Sequence, residues 1–351
     1  MVVGRHGSVM ICSEYNIIIR VDATAEMGAG HFMRCMALAQ WCQEERLKIL
    51  FVYSELLPIA NKFLIENQFD SEEIEKFDSL VEDAMQVQKI ALKYHATLVV
   101  IDGYHFTNQY FNKLRHQKFK IIKIDDFGND VDYVDIVINQ NPWSKKIHYP
   151  DNIKCFLGLE YLLLKKEYWS FFKNSKTNRG EKKRVLVSLG GSDVIGVLEK
   201  VVKSIDCDLK HEALDIDVLL PCQYDAMPEW EKDLVTSKHS YTWLKDIVNM
   251  SGLLNHIDIA ICAAGSICWE LAFMKIPMVV LVQAENQKAV AKSIEFMGLG
   301  VILSHDEPIS TANQGFQLQG NFKMLGQWTD KQSFENLHIA EKTKSIVKCL
   351  V

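Results

Sequence analysis

The sequence predicts an α/β protein made of two Rossmann-like halves facing across a cleft. Three observations carry this. Short apolar runs rich in β-branched residues alternate with helix-length segments. The runs are apolar on both faces, as in a parallel sheet covered on both sides. The pattern then breaks at a polar, charged stretch and begins again, in a chain of 351 residues that is long enough for two separate cores.

The first strand is expected at Asn16–Val21 (NIIIRV), followed by a glycine-bearing loop, Asp22–Gly30. A helix from about His31 to Gln43 comes next, with Phe32, Cys35, Met36 and Ala39 at helical spacing. Further strands are expected at Leu47–Tyr53, Leu98–Asp102, Phe119–Asp126 and Ile136–Asn139, with helical segments between most of them, notably Ser71–Tyr94. Lys173–Arg184 is charged, carries a glycine and reads as the linker. Beyond it, strands are expected at Arg184–Leu189, Ile216–Leu220, Ile257–Cys262 and Pro277–Val282. Helices fit Val194–Ile205, Gln287–Met297 and Asn336–Leu350. The expected organisation is an extension over 1–16, a first domain over 17–175 and a second over 183–351.

The chain carries 39 basic and 45 acidic residues, a net charge of −6. Without a basic excess, nucleic acid is not expected as the main partner. Nine cysteines with no C-x-x-C pair read as reduced thiols in a cytosol, so a cytoplasmic location is expected and a zinc ribbon is not. No run reaches 18 consecutive apolar residues, so no membrane span is expected. A monomer without metal or cofactor is the expected state.

Three strand-to-loop junctions carry candidate chemistry, because open parallel sheets bind ligands beyond the carboxyl ends of their strands. The first is Arg20-Val-Asp22-x5-Gly28-Ala-Gly30-His31-x2-Arg34. Its glycines let a ligand approach backbone, and His31 opens a helix with an imidazole that exchanges protons near neutral pH. The same residues also suit a plain tight turn with His31 as a surface cap. Met33 stands where a dinucleotide fingerprint needs its third glycine, so NAD is not indicated. The second junction is Gly190-Gly191-Ser192-Asp193, suited to a phosphate held by main-chain amides or to an ordinary β-turn-α connection. The third is Ala264-Gly265-Ser266-Ile-Cys-Trp-Glu270, where the turn suits a diphosphate and Glu270 suits ribose hydroxyls. Ser266 and Glu270 lack capping-box spacing.

Asn286, in Glu285-Asn286-Gln287, offers an amide for sugar substituents or a plain helix cap. Asp102-Gly-Tyr104 and Asp125-Asp126 also follow strands, although adjacent carboxylates are common in solvated turns. No zincin, Walker A or nucleophile-elbow motif occurs.

In this order, R-x-D-x5-G-x-G-H-x2-R-C, D-x-Y, I-D-D, L-G-G-S-D, A-G-S-x-C-W-E and N-Q resemble the PseG family. Those enzymes are UDP-2,4-diacetamido-2,4,6-trideoxy-β-L-altropyranose hydrolases of pseudaminic acid biosynthesis, similar in fold to GT-B glycosyltransferases. The likeness runs from about Ile17 to Gln287. It implies a GT-B-like fold and a UDP-sugar substrate. It places His31 as general base and Arg20, Asp22, Gly30 and Tyr104 around the sugar and water, and Arg34 of the same motif is a further substrate-binding candidate. Gly190, Gly191, Ser266 and Glu270 fall on the UDP side, where Ser192 and Gly265 of the same junctions are candidates from their own chemistry, and Asn286 falls in the N-Q element. The chain departs from the family at Ala264 and Ile267, where a glycine and a hydroxyl are usual, and at Lys165-Lys166-Glu167-Tyr168, where an arginine is usual.

The chemistry so implied is inverting hydrolysis at C1, with His31 as base and Asp22 as the carboxylate that orients it. The rival expectations are a GT-B glycosyltransferase using the same donor and a nucleotide-sugar-binding protein without catalysis.

Overall fold

The computed structural model describes residues 14–76, 79–172, 182–190, 196–221, 224, 226–303, 318 and 337–350. The chain divides into two compact units, the first built from 1–24, 29–166 and 335–351 and the second from 25–28 and 167–334.

The first unit runs β1 (Ile17–Val21), α1 (Gly30–Glu44), β2 (Ile49–Tyr53), α2 (Pro58–Glu66), β3 (Asp70–Glu73), α3 (Leu80–Lys93), β4 (Leu98–Asp102), α4 (Asn108–Leu114), β5 (Lys120–Ile124), β6 (Ile136–Asn139) and β7 (Lys154–Leu157). Its seven strands lie in the order β3-β2-β1-β4-β5-β6-β7, and every pairing is parallel. β1 and β4 are buried along their whole length, their apolar residues covered on both faces and Arg20 and Asp102 buried with them. The order reverses between these two strands, which are neighbours with Val21 opposite Asp102. The loops after β1 and β4 therefore open side by side at the switch point of the sheet. α1 is buried on most of its circumference, from His31 to Cys42, so His31, Arg34 and Gln40 are inside the unit and not on its surface.

The segment 71–94, expected to be helical, divides. Asp70–Glu73 pairs with β2 as an edge strand, and the helix begins at Leu80 behind Ser79, whose hydroxyl accepts from the Val81 amide at 3.3 Å. Backbone pairing holds this polar strand in place, so side-chain pattern gives no sign of it.

The second unit contains α5 (Glu167–Phe172), β8 (Lys183–Ser188), α6 (Val197–Asp208), β9 (Leu214–Leu219), β10 (Ser240–Leu244), α7 (Met250–Leu254), β11 (Ile259–Ala263), α8 (Ile267–Phe273), β12 (Met278–Leu281), α9 (Lys288–Phe296) and β13 (Gly300–Ile302). Its parallel sheet has the order β10-β9-β8-β11-β12-β13, the same winding as the first six strands of the other sheet. The switch point here lies between β8 and β11.

The last helix, α10 (Ile339–Leu350), packs on the first unit, whereas the sequence reading carried the second domain through 351. Its apolar stripe of Ile339, Ile346, Val347 and Leu350 is buried, Thr343 donates to the Leu162 carbonyl at 3.4 Å, and Lys344 lies over the Trp41 ring of α1. Tertiary burial decides where an amphipathic helix docks, and the periodicity of the helix alone does not name its partner.

At β13 the backbones leave no room for a side chain. A Cβ on Gly300 would stand 2.4 Å from the Met278 carbonyl oxygen of β12. Gly300→Ala is expected to cost about 1–3 kcal/mol, seen as a lower urea midpoint with an unchanged m value. A midpoint equal to that of the parent would contradict this packing.

Candidate active site

The site is built where the β1 and β4 loops meet the start of α1. His31 and Arg34 are three residues apart on α1 and so share a face. Asp102 ends β4, fully buried, directly beneath them. His31 Nδ1 lies 2.7 Å from Asp102 Oδ1. Arg34 grips the same carboxylate at both oxygens, Nε to Oδ2 at 2.6 Å and Nη2 to Oδ1 at 2.7 Å. Its remaining nitrogen, Nη1, spans both oxygens of Asp126 at 2.8 and 3.0 Å. Arg34 Nη2 also approaches His31 Nδ1 at 3.2 Å, because both donors converge on one carboxylate oxygen.

Asp126 is a second hub. It accepts from the Tyr104 hydroxyl at 3.0 Å and from Asn141 Nδ2 at 2.6 Å. Tyr104 then presents the edge of its ring to His31, with centroids 4.5 Å apart and planes at 84°. Between Asp102 and Tyr104, Gly103 has φ +154°, and a Cβ there would meet Phe106 at 2.9 Å. Only glycine lets the chain turn sharply enough to send Asp102 inward and Tyr104 outward.

The electrostatics follow from burial and pairing. Burial alone would raise the Asp102 and Asp126 carboxyls, but the Arg34 charge outweighs it. Asp102 is held below its ordinary range and Asp126 is held at about 2. Burial alone would lower Arg34, yet the two carboxylates raise it well above its ordinary value. Burial, then the Asp126 charge, push the Tyr104 phenol up. If Nδ1 carries the ring proton it donates to Asp102 and leaves Nε2 with a lone pair. The ring is held in one orientation by Asp102, which Arg34 grips in turn.

Asp22 does not take the part expected of it. Its Oδ1 accepts from Arg20 Nη1 at 2.6 Å and from the Ser54 and Glu55 amides at 2.7 and 3.2 Å. Arg20 is itself buried, with Asp83 on its other side at 2.6 Å and Tyr110 bonded to that aspartate at 2.9 Å. Asp22 and Arg20 therefore form a buried ion network under the loop, and the carboxylate that orients His31 is Asp102. Residues two apart on a strand share a face, so Arg20 takes Asp22, while sheet order brings Asp102 across from β4. Asp126 is likewise no solvated turn residue. Asp83, Asn141 and Ser54 lie outside every motif, and no sequence signal marks them. Gly28 has φ +70°, and Gly30 is the first residue of α1.

In the second unit, Gly190 follows β8 with φ +98° and open space where a Cβ would stand. Gly191 and Ser192 lie outside the described residues. Gly265 has similar open space, its amide donating to the Ala263 carbonyl at 2.8 Å, and Ser266 is exposed. Glu270 accepts from the buried Tyr168 hydroxyl at 2.6 Å. Asn286 is exposed on a short helical turn, Glu285–Gln287, ahead of α9. Among the described residues no group of three or more His, Cys, Asp or Glu side chains is arranged to hold a metal ion, and no helix is long and apolar enough to cross a membrane.

Among solved structures, MurG of Acinetobacter baumannii matches 95% of this chain and 99% of its own, with a TM-score of 0.61 and 13% identity. The spinosyn rhamnosyltransferase SpnG complexed with thymidine diphosphate matches 95% and 99%, with a TM-score of 0.59 and 12% identity. The chain has the GT-B fold. At this identity the likeness establishes the fold alone, since one fold hosts many activities.

No protein-family model matches the chain. An uncharacterized protein of Methanocaldococcus jannaschii is 25% identical over 282 residues, which is 78% of this chain and 56% of that protein, so the chain spans little more than half of it. The spore coat polysaccharide biosynthesis protein SpsG of Bacillus subtilis is 23% identical over 312 residues, 86% of this chain and 87% of its own. The UDP-2,4-diacetamido-2,4,6-trideoxy-β-L-altropyranose hydrolase of Campylobacter jejuni is 20% identical over 283 residues, 78% of this chain and 94% of its own.

The depressed carboxyls of Asp102 and Asp126 set an expected window of acid sensitivity. A carboxyl lowered on folding contributes stability above its unfolded value of about 4 and loses it as pH falls through the folded value. Stability is expected to drop between about pH 4 and about pH 2, the latter set by Asp126. Asp126→Asn is expected to be less stable at neutral pH and to show a shallower slope across that window in urea titrations. An unaltered slope would contradict the Arg34–Asp126 pairing.

Proposed function

We propose that this chain hydrolyses a UDP-linked 2,4-diacetamido-2,4,6-trideoxy sugar at C1, releasing UDP and the free sugar. The observation that carries the reading is the held imidazole, Nδ1 at 2.7 Å from a fully buried Asp102 that Arg34 also grips. The likeness to the Campylobacter jejuni hydrolase supports the substrate class.

In this reading His31 Nε2 takes a proton from water as the water oxygen attacks C1. The C1–O bond to UDP breaks, UDP leaves with the bonding electron pair, and the configuration at C1 inverts. Asp102 stabilises the imidazolium that forms, without itself taking the proton. UDP is a good leaving group, so the site needs a base and a held diphosphate more than a strong acid. We assign the diphosphate to the loops after β8 and β11, with Gly190, Gly191, Ser192, Gly265 and Ser266. Glu270 serves the ribose and Asn286 an acetamido group. Arg20 and Asp22 act as structural support for the loop carrying Gly30, and Tyr104 borders the sugar.

A glycosyltransferase with the same donor would use the same imidazole on an acceptor hydroxyl. Incubation with the UDP-sugar and no acceptor separates the two, with free sugar followed by NMR. Turnover without acceptor is expected. His31→Ala or His31→Asn is expected to abolish it while leaving UDP affinity unchanged. Asp102→Asn is expected to lower kcat by about 10²–10⁴-fold, reflecting the misdirected tautomer. Full activity in the His31 variants would remove the general base from this account.

A further inference from the structure

A single exposed apolar side chain is ordinary, whereas exposed apolar side chains that adjoin one another mark a surface of interest. Two of the exposed aromatic side chains among the described residues, Tyr104 at 52% and Phe127 at 43%, lie side by side with centroids 5.4 Å apart. The far side of this pair is the His31 ring, 4.5 Å from Tyr104. Phe127 thus extends an apolar surface outward from the imidazole, and it belongs to no motif in the sequence.

The turn carrying Phe127 is fixed at every neighbouring residue. Before it, the Asp126 carboxylate is held by Arg34 and Asn141, and its carbonyl accepts from Trp143 Nε1 at 3.1 Å. After it, the Gly128 amide donates to Asp125 Oδ2 at 2.6 Å. Gly128 has φ +81°, and a Cβ on it would meet Ile147 at 2.2 Å. The ring is therefore exposed on a rigid turn, and its position costs little to maintain when a ligand arrives.

We propose that Phe127 is a specificity-determining residue, its ring receiving the methyl-bearing face of the sugar beside the anomeric carbon. This rests on the UDP-sugar reading above and names the group that selects the sugar. The proposed substrate carries a C6 methyl and two acetyl methyls, whereas an ordinary hexose presents hydroxyls there. An apolar ring rewards the first and leaves the hydroxyls of the second without partners.

The test uses the full chain carrying His31→Ala, which binds without turnover, and the same chain with Phe127→Ala added. Saturation-transfer NMR with the UDP-linked diacetamido-trideoxy sugar reads the methyl and uracil protons separately. Strong transfer to the sugar methyls is expected in the first protein. In the second, methyl transfer falls relative to uracil and affinity weakens roughly tenfold, while affinity for UDP alone stays the same. Phe127→Trp restores the methyl signal. Methyl transfer that persists relative to uracil in the Phe127→Ala protein would overturn the assignment while the nucleotide reading stands. Absence of uracil transfer in both proteins would overturn the nucleotide reading and this inference with it. In otherwise unchanged enzyme, Phe127→Ala is expected to raise KM about tenfold with kcat little altered, which loss of fold would not produce.

Discussion

The guanidinium of Arg34 is the piece on which the candidate site depends. It lies buried between two carboxylates, and each of its terminal nitrogens is committed to one of them. An arginine suits this place because its planar fork meets Asp102 with two parallel bonds while still reaching Asp126, a geometry that a lysine ammonium cannot copy. Neither aspartate has enough solvent for an isolated charge, and Arg34 has none to spare. Each member makes the others tolerable, and the triad fixes three separate elements, α1, β4 and the turn after β5, against one another.

From that triad outward the functional groups are set in turn. Asp102 aims the imidazole and determines which nitrogen is free. Asp126 fixes the Tyr104 hydroxyl and, through its own backbone, the turn that carries Phe127. Beneath them a second buried network, Arg20 between Asp22 and Asp83, ties β1 to α3 and to the loop after β2. The two networks are adjacent but do different work. One holds the His31 ring, and the other holds the floor under the glycine-rich loop.

Much of this was legible in the sequence. β11 and β12 are apolar throughout and β1, β4 and β8 have apolar stretches of at least three residues, which stand out because a doubly covered strand needs apolar residues on both faces. His31, Arg34 and Tyr104 were legible as a spaced motif at strand ends. Edge strands were not: β3 reads Asp-Ser-Glu-Glu and is held by backbone pairing with β2, which no side-chain pattern records. The partner of His31 was not legible either. Asp22 is nearer along the chain, but the β1–β4 pairing that sets Asp102 opposite Val21 is a property of sheet order. The docking of the last helix on the first unit is of the same kind, since an amphipathic stripe does not announce its partner. Phe127 was missed because exposure, the feature that marks it, exists only once the chain is folded.

The proposed chemistry turns on one proton on one ring. Long-range ¹H–¹⁵N NMR of the protein labelled at histidine, at about pH 8 where an ordinary imidazole is neutral, reads the two nitrogens of His31 directly. A protonated Nδ1 and an unprotonated Nε2 are expected. A His31 with its proton on Nε2 would contradict that chemistry, because the nitrogen meant to accept a proton would already carry one.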